Sequence, residues 1–394
     1  MGRFLPFLLL LFVIAAVLRV DFFFTVAYLF LGIYLLSHVW TRRAVRQVRV
    51  RRRFTDRAFS GDETTMEVLV HNRGWLPVPW LKLHESLPVN LTAPPFLREV
   101  IILGPHEGRS LTHTLNCRRR GYYAIGPLRM RVGDLLGVAD PGDLQIESEP
   151  FIVYPRVIPL RELGLPTRSP LVALPAPTPL FEDPARVMGV RSYERGDSPR
   201  RIHWTATANA GQLLVKQYEP SIARETLIFL DLGREHYEQR RRYTATELAI
   251  VVAASMAHHI IVNEGLSVGL ATEGWDPLSE EKTRFSLPPR AERSHLMRLL
   301  EILARIEVVE GTSFPDLLRQ ESVNLPWGAT LAVIAGQESE QLFDRLVYLR
   351  RAGFALSLIL VQPLHLSEEL RRRADRLGMS VHRVWSERDL EAWI

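Results

Sequence analysis

Two apolar runs fill the first forty residues with almost nothing between them. Phe4–Val20 reads FLPFLLLLFVIAAVLRV and Phe22–Trp40 reads FFFTVAYLFLGIYLLSHVW, separated by Asp21. Each approaches the roughly 17–25 residues that a helix needs to cross the hydrocarbon core. Arg19 and Asp21 flank the junction, where charge can reach water at the membrane surface. The pattern predicts a transmembrane helical hairpin over residues 1–41. A cleaved signal peptide fits less well, because no small-x-small cleavage site follows the first run and a second begins at once. A single bent span is the other alternative.

The segment Thr41–Arg53, TRRAVRQVRVRRR, carries seven arginines and no acid. Subtracting them turns the formal charge of the chain from +5 to −2. The positive balance is therefore local. It lacks the basic face interleaved with aromatics expected of a nucleic-acid binder, so no nucleic-acid partner is expected. Arginine flanks stay on the cytoplasmic side. With Arg3 before the first run, both ends of the hairpin and the soluble domains are expected in the cytoplasm, as a multi-pass protein of the cell (plasma) membrane. The bilayer itself is then a partner, each arginine near anionic headgroups being worth about 1 kcal/mol. Hydrophobic residues make up 47% and charged residues 24%, so most of the chain is ordinary globular protein. One cysteine, Cys117, excludes an internal disulfide framework and a paired-cysteine metal site.

Residues 48–157 read as short strands between turn formers. Thr65–Val70, Trp80–His84, Ser110–Leu115, Arg120–Ile125, Leu128–Val132 and Phe151–Tyr154 are the candidates. They predict a β-sandwich, immunoglobulin-like in class. Its histidines, at 71, 84, 106 and 113, are scattered without ligand spacing. Seven prolines between Pro159 and Pro184 then predict a linker over residues 158–187.

Residues 188–220, MGVRSYERGDSPRRIHWTATANAGQLLVKQYEP, are the most distinctive in the chain. Arg191, Tyr193, Glu194, Arg195, Asp197, Arg200, Arg201, His203 and Trp204 crowd around Gly196. Guanidinium forks of this kind can hold a carboxylate or phosphate. The competing reading is internal, with Asp197 and Glu194 paired to the arginines and Trp204 plugging the domain. The string Arg191-Ser-Tyr-Glu-Arg-Gly-Asp197, then Arg201-Ile-His-Trp204, then Val215-Lys-Gln-Tyr-Glu219, resembles the signature of the domain of unknown function 58 family. The resemblance implies this chain's layout of hairpin, β-domain, signature and a von Willebrand factor A-like C-terminal domain. It also implies partnership with a MoxR-type AAA+ ATPase and other von Willebrand A-type proteins, in assembling or maturing complexes of the cell envelope. Arg191, Tyr193, Gly196, Asp197, Arg200, Arg201, His203, Trp204, Lys216 and Glu219 become the partner-binding candidates.

Residues 221–394 alternate strand and helix, which predicts a mainly parallel, Rossmann-like α/β sheet. Strands are expected at Glu225–Leu232, Leu266–Ala271, Thr330–Ala335, Ala355–Val361 and Ser380–Val384. Helices are expected at Tyr243–Glu264, Ala291–Ile306, Glu338–Arg351, Leu366–Leu377 and Arg388–Trp393. Ligands of such sheets bind beyond the carboxyl ends of the strands, where Asp231 falls. In von Willebrand A domains that position opens a Mg²⁺ motif of an aspartate, two serines, a remote threonine and a second aspartate. Here Gly233 and Glu235 replace the serines, Thr312 is the candidate threonine, and Ile334-Ala-Gly336 offers no acid. Asp231 and Thr312 are thus weak metal candidates and Mg²⁺ the only cofactor weighed. His258 and His259, adjacent on a helix, point too far apart to chelate one ion. Neither a phosphate loop nor an activated nucleophile is evident, and no catalytic residue is assigned. The expectation is a membrane-anchored, non-enzymatic interaction or scaffold protein. The alternatives are an enzyme acting on an anionic substrate through Arg191–Trp204, with His203 as acid or base, and a metal-dependent binding module at Asp231.

Overall fold

The computed structural model describes residues 4–18, 21–133, 143–160, 182–194, 197–220, 225–363 and 368–391. The chain divides into two compact units, Met1–Arg156 and Val157–Ile394.

The first unit opens with α1 (Phe4–Leu18) and α2 (Asp21–Gln47). They pair side by side through edge-on ring contacts, Phe7 with Phe30 and Phe12 with Tyr28. α2 is long and apolar enough to cross a membrane, and only 6% of its apolar window is buried within the protein. A second helical stretch passes the same test of length and apolarity, Arg242–Asn263, but 83% of it is buried, as befits a core helix. α2 does not stop at the end of its apolar run. It continues through Arg42, Arg43 and Arg46 to Gln47, so the arginine-rich segment is half helix and half strand.

Among the described residues ten strands follow in this unit: β1 (Val48–Arg53), β2 (Arg57–Phe59), β3 (Glu63–Asn72), β4 (Val78–Ser86), β5 (Phe96–Leu103), β6 (Gly108–Asn116), β7 (Gly121–Ile125), β8 (Leu128–Gly133), β9 (Asp143–Ile146) and β10 (Glu149–Tyr154). They form three sheets, ordered β1-β3-β6, β2-β10-β7 and β5-β4-β8-β9. Alternation supplies the core: Met66, Val68 and Val70 from β3 meet Leu81 and Leu83 from β4 and Phe151 and Val153 from β10 in one cluster. α2 joins it through Ala44, and Trp40 and Val45 of the same helix pack against the cluster. The six expected strands are present. β1, β2, β5 and β9 are additions to them.

In the second unit β11 (Glu182–Ser192) pairs antiparallel with β12 (Leu214–Pro220), and α3 (Trp204–Ala210) lies between them in sequence. The expected proline-rich linker of 158–187 is therefore corrected at its end, since Glu182–Val187 belongs to β11. Pro184 is tolerated because β11 is an edge strand and its register breaks between Glu182 and Val187. At the other end of the expected linker, Ile158 is buried and its N–H donates to Ser255 Oγ at 2.9 Å. Residues 161–181 lie outside the described residues.

The remaining elements are β13 (Glu225–Leu230), α4 (Arg242–His258), β14 (Ser267–Asp276), β15 (Glu281–Arg290), α5 (Arg293–Arg305), α6 (Phe314–Ser322), β16 (Thr330–Ala335), α7 (Glu340–Arg351), β17 (Ala355–Val361), α8 (Glu368–Leu377), β18 (Ser380–Val384) and α9 (Glu387–Glu391). One turn of π-helix, His259–Asn263, extends α4. The six strands form one sheet ordered β15-β14-β13-β16-β17-β18, parallel except for β15. The predicted strands and helices of this region are present over the described residues, with the start of Leu366–Leu377 and the end of Arg388–Trp393 lying outside them, and β15 and α6 are additional. The order turns back at β13, whose neighbours are β14 on one side and β16 on the other. Such a sheet opens a crevice at the carboxyl ends of β13 and β16.

Candidate functional site

Two places in the second unit carry the sequence-predicted candidates. The first is the excursion between β11 and β12. Arg191 leaves β11 and closes a bidentate pair on Asp197, Nη1 to Oδ2 at 2.7 Å and Nη2 to Oδ1 at 2.6 Å. The Glu194 N–H donates to the same carboxylate at 2.9 Å. The Arg191 bond first, and that N–H second, hold the Asp197 carboxyl below its ordinary range. Pro199–Arg201 then makes a single 3-10 turn, and Ile202 bridges to Val215. His203 caps α3: its Nδ1 accepts from the Ala206 N–H at 3.1 Å. Thr207 Oγ1 accepts from the Leu214 N–H at 3.0 Å, and Gly211, at φ 67°, ends the helix in the left-handed region.

The chemistry of this excursion is largely spent on its own shape. Arg191 and Asp197 satisfy each other, and His203 has one ring nitrogen committed to the helix start. The expected plug is absent: Trp204 is 67% exposed and no residue of α3 is buried. Val190, Tyr193 and Leu213 are exposed with it. Lys216 sits half-buried on β12, and Arg201 is exposed. Gly196 lies outside the described residues, and of Arg200 and Glu219 only the backbone is described.

The second place is the crevice at β13. Asp231 follows that strand, its N–H donating to Ile334 O of the β16 strand at 3.0 Å. Its buried carboxylate accepts from the Gly233 N–H at 2.9 Å, and His236 Nδ1 lies 2.9 Å from Oδ1 and 2.8 Å from Oδ2. Tyr237 donates its hydroxyl to the Asp231 carbonyl at 2.6 Å. Burial pushes the Asp231 carboxyl up, against the pull of His236, while the bond to Asp231 raises His236. Burial also raises Tyr237 well above a free phenol. A neighbouring loop closes the crevice, with Arg234 N donating to Val309 O at 2.9 Å and Thr312 N donating to Glu235 Oε1 at 3.2 Å.

These residues do not fit a divalent cation. An imidazole, itself a cation when protonated, occupies the face of the Asp231 carboxylate that a metal would need. Among the described residues Thr312 Oγ1 is buried without a hydrogen-bond partner, yet Gly233 backs directly onto it. Among the described residues no group of three or more His, Cys, Asp or Glu is arranged to hold a metal. Gly233 and Gly336, where the expected motif would have metal donors, are packing positions. A Cβ on Gly233 would collide with Thr312 Oγ1 and come within 2.6 Å of His236 Nδ1, and one on Gly336 would collide with the Tyr237 ring. Gly233→Ser, which supplies the first serine of the expected motif, should thus lower stability by about 1–3 kcal/mol through overpacking. It should also gain no Mg²⁺ affinity. Thermal unfolding and calorimetry of the variant check both, and a stable Mg²⁺-binding variant would refute the packing account.

His236 and Tyr237 escaped the sequence reading. The one available signal was a histidine five residues after Asp231, which is meaningful only once the short turn Arg234–His236 is known to fold it back. The other expected groups are ordinary. His259 is buried beside Glu264 at 3.3 Å, and His258 is half-buried. Burial raises the Cys117 thiol to about 11, which leaves it a poor nucleophile at neutral pH.

Residues 189–320 match the family described as "Protein of unknown function DUF58". The match spans the excursion and the crevice together. An uncharacterised protein of Bacillus subtilis, YeaD, is 25% identical over 252 residues, which cover 62% of this chain and 59% of YeaD. The chain thus spans less than two thirds of that relative. Among solved structures, the CARDB domain of PF1109 from Pyrococcus furiosus covers 27% of this chain and 91% of its own, at 20% identity and a TM-score of 0.21. A β-glucosidase of Listeria innocua covers 27% of this chain and 15% of its own, at 12% identity and a TM-score of 0.17.

Proposed function

We propose that the chain is a membrane-anchored, non-enzymatic interaction protein whose β11–β12 excursion presents a binding surface to a MoxR-type AAA+ ATPase. In this reading α1 and α2 form the membrane hairpin in the plasma membrane, with the soluble units in the cytoplasm. The β-rich unit is an immunoglobulin-like sandwich and acts as a spacer. The α/β unit is a von Willebrand A-like domain whose ion site has been replaced by the Asp231–His236 pair. The work is chaperone-like, in the assembly or maturation of envelope complexes.

The observation that carries this reading is the exposure of Trp204. A tryptophan 67% open to solvent covers no core, and it belongs to the same excursion as exposed Tyr193 and Leu213, which is tied by Arg191–Asp197 and the His203 cap. Rigid aromatic anchors of this kind dominate protein–protein binding energy. An enzyme acting through the same cluster would need its arginines and His203 available to substrate. Arg191 and the His203 Nδ1 are instead committed to internal bonds.

The test is co-purification of the full chain, in detergent, with a MoxR-type ATPase from the same cell. Trp204→Ala should weaken the association by roughly thirtyfold or more, the scale of a hot-spot residue. The fold should be untouched. Absence of any association with the wild-type chain would sink the reading, and undiminished binding by the variant would move the surface elsewhere.

A further inference from the structure

The arginine-rich segment does two different jobs, and the geometry points to a second membrane contact outside the helices. Arg52 turns inward and is consumed by an ion pair in the β-rich core. Arg42, Arg43, Arg46 and Arg49 are exposed, as is Arg73 from the β3–β4 loop. Among the described residues none of these five has a carboxylate partner.

That loop is clamped to the end of α2. Trp40 Nε1 donates to Pro77 O at 3.0 Å, and the Arg73 N–H donates to Gln47 O at 3.0 Å. Buried Asn72 pins the loop from inside, donating to Leu76 O at 2.8 Å and Gly104 O at 2.9 Å. Between these ties Trp75 stands 71% exposed. On α2, Trp40 and Gln47 bracket a stretch that rises only about 10 Å along the axis. The headgroup layer on each side of the hydrocarbon is roughly 5–7 Å thick. A loop tied at both heights is held at the level of the headgroups, where tryptophan is favoured because its ring is apolar and its N–H polar. Arg49 and His71 are paired across β1 and β3, so they share one exposed side of that sheet, and exposed Arg73 and Trp75 follow directly in the loop that leaves β3 beside them.

We propose that Trp75 and the arginines at 42, 43, 46, 49 and 73 form an interfacial patch that docks the β-rich unit onto anionic phospholipid headgroups. The patch adds a contact with the bilayer to the packing that already holds the unit to α2. The proposal rests on the reading of α2 as a membrane span. It commits to lipid over a protein acid because the patch is continuous with that span, and charges on either side of the headgroup boundary act on each other over a screening length of about 8 Å.

The experiment places the full chain in nanodiscs of brominated phospholipid, with and without phosphatidylglycerol, and measures tryptophan quenching. Trp40→Phe is the control for the span. Trp75→Phe should remove a quenched component in phosphatidylglycerol discs and much less in neutral ones. An arginine near an anionic surface is worth about fivefold in association, so Arg46→Glu, Arg49→Glu and Arg73→Glu together should lower the docked ratio on the order of a hundredfold. In that triple variant Trp75 should escape quenching while Trp40 stays quenched. Far-UV circular dichroism confirms that the triple variant is folded. If Trp40 is quenched but Trp75 is not, the patch is wrong and the span stands. Equal quenching of Trp75 in neutral discs overturns the anionic part. If neither tryptophan is quenched, the span fails and the patch with it.

Discussion

Glu85→Ala is expected to loosen the β-rich unit by about 3–5 kcal/mol, because it strands a buried guanidinium. The Arg52 side chain is 1% exposed and that of Glu85 0%. Arg52 Nε lies 3.0 Å from Glu85 Oε2 and Nη2 lies 2.9 Å from Oε1. Nη1 donates to Glu147 O at 2.7 Å and to Glu149 Oε1 at 3.1 Å. One side chain therefore ties β1 to β4, in another sheet, and to the turn that leads into β10 in the third. Gly126, at φ 113°, leaves the space: an added Cβ would meet the guanidinium at 2.7 Å. Hydrogen exchange of the full chain in detergent reads the effect locally. Amides of β4 and β8 should exchange roughly 10²- to 10³-fold faster in the variant. The double variant Arg52→Met with Glu85→Leu tests the cause. An apolar pair of similar volume is often neutral or stabilising, so protection should return. Loss as large in the double variant as in the single one would mean that the charge pair is not what Glu85→Ala removed.

The same arginine explains where the sequence was opaque. β13, β16 and β17 were legible because ETLIFL, TLAVIA and ALSLILV are apolar runs of buried-strand length. β1, VRVRRR, alternates just as well, but its inward positions are Val48, Val50 and Arg52. A charged residue at a core position breaks the pattern unless its partner is known, and Glu85 lies 33 residues away. β15 was hidden by Pro288 and Pro289, which an antiparallel edge strand tolerates. α6 carries Pro315 in its first turn, a residue that reads as a breaker but is favoured there. At the excursion, residue types announced a polar network, and the Arg191–Asp197 pair is one. They could not announce that Trp204 faces out, since a tryptophan beside small residues reads equally as a plug. Asp231 was found from its place after a strand. Its partner His236 was not, because only the fold of the turn brings the two together.

That pair carries the other large effect. His236→Ala leaves the Asp231 carboxylate buried with the Gly233 N–H as its side-chain bond, and should cost about 3–5 kcal/mol near neutral pH. The pH dependence has a definite sign. The bond to Asp231 raises His236, with burial opposing it and the charge of Glu235 adding to it. Burial raises Asp231, with the His236 bond opposing it. Both shifts make the folded chain hold protons that the unfolded chain releases, so stability falls as pH rises. For His236 the contribution is complete below its unfolded value of about 6.5 and is lost as pH climbs through the higher folded value. Histidine ring NMR should therefore place the His236 midpoint above that of a free imidazole, and Asp231→Asn should bring it back down. Stability of the wild-type crevice, followed by exchange of the amides of β13 and of residues 231–237, should decline across the same interval. In His236→Ala that step should vanish, and acid should recover part of the loss by protonating Asp231. A variant as stable as wild type, with an unchanged pH profile, would show that His236 does not serve as the built-in cation of this site. The Asp231 carboxylate would then have to be held by its neighbouring N–H alone.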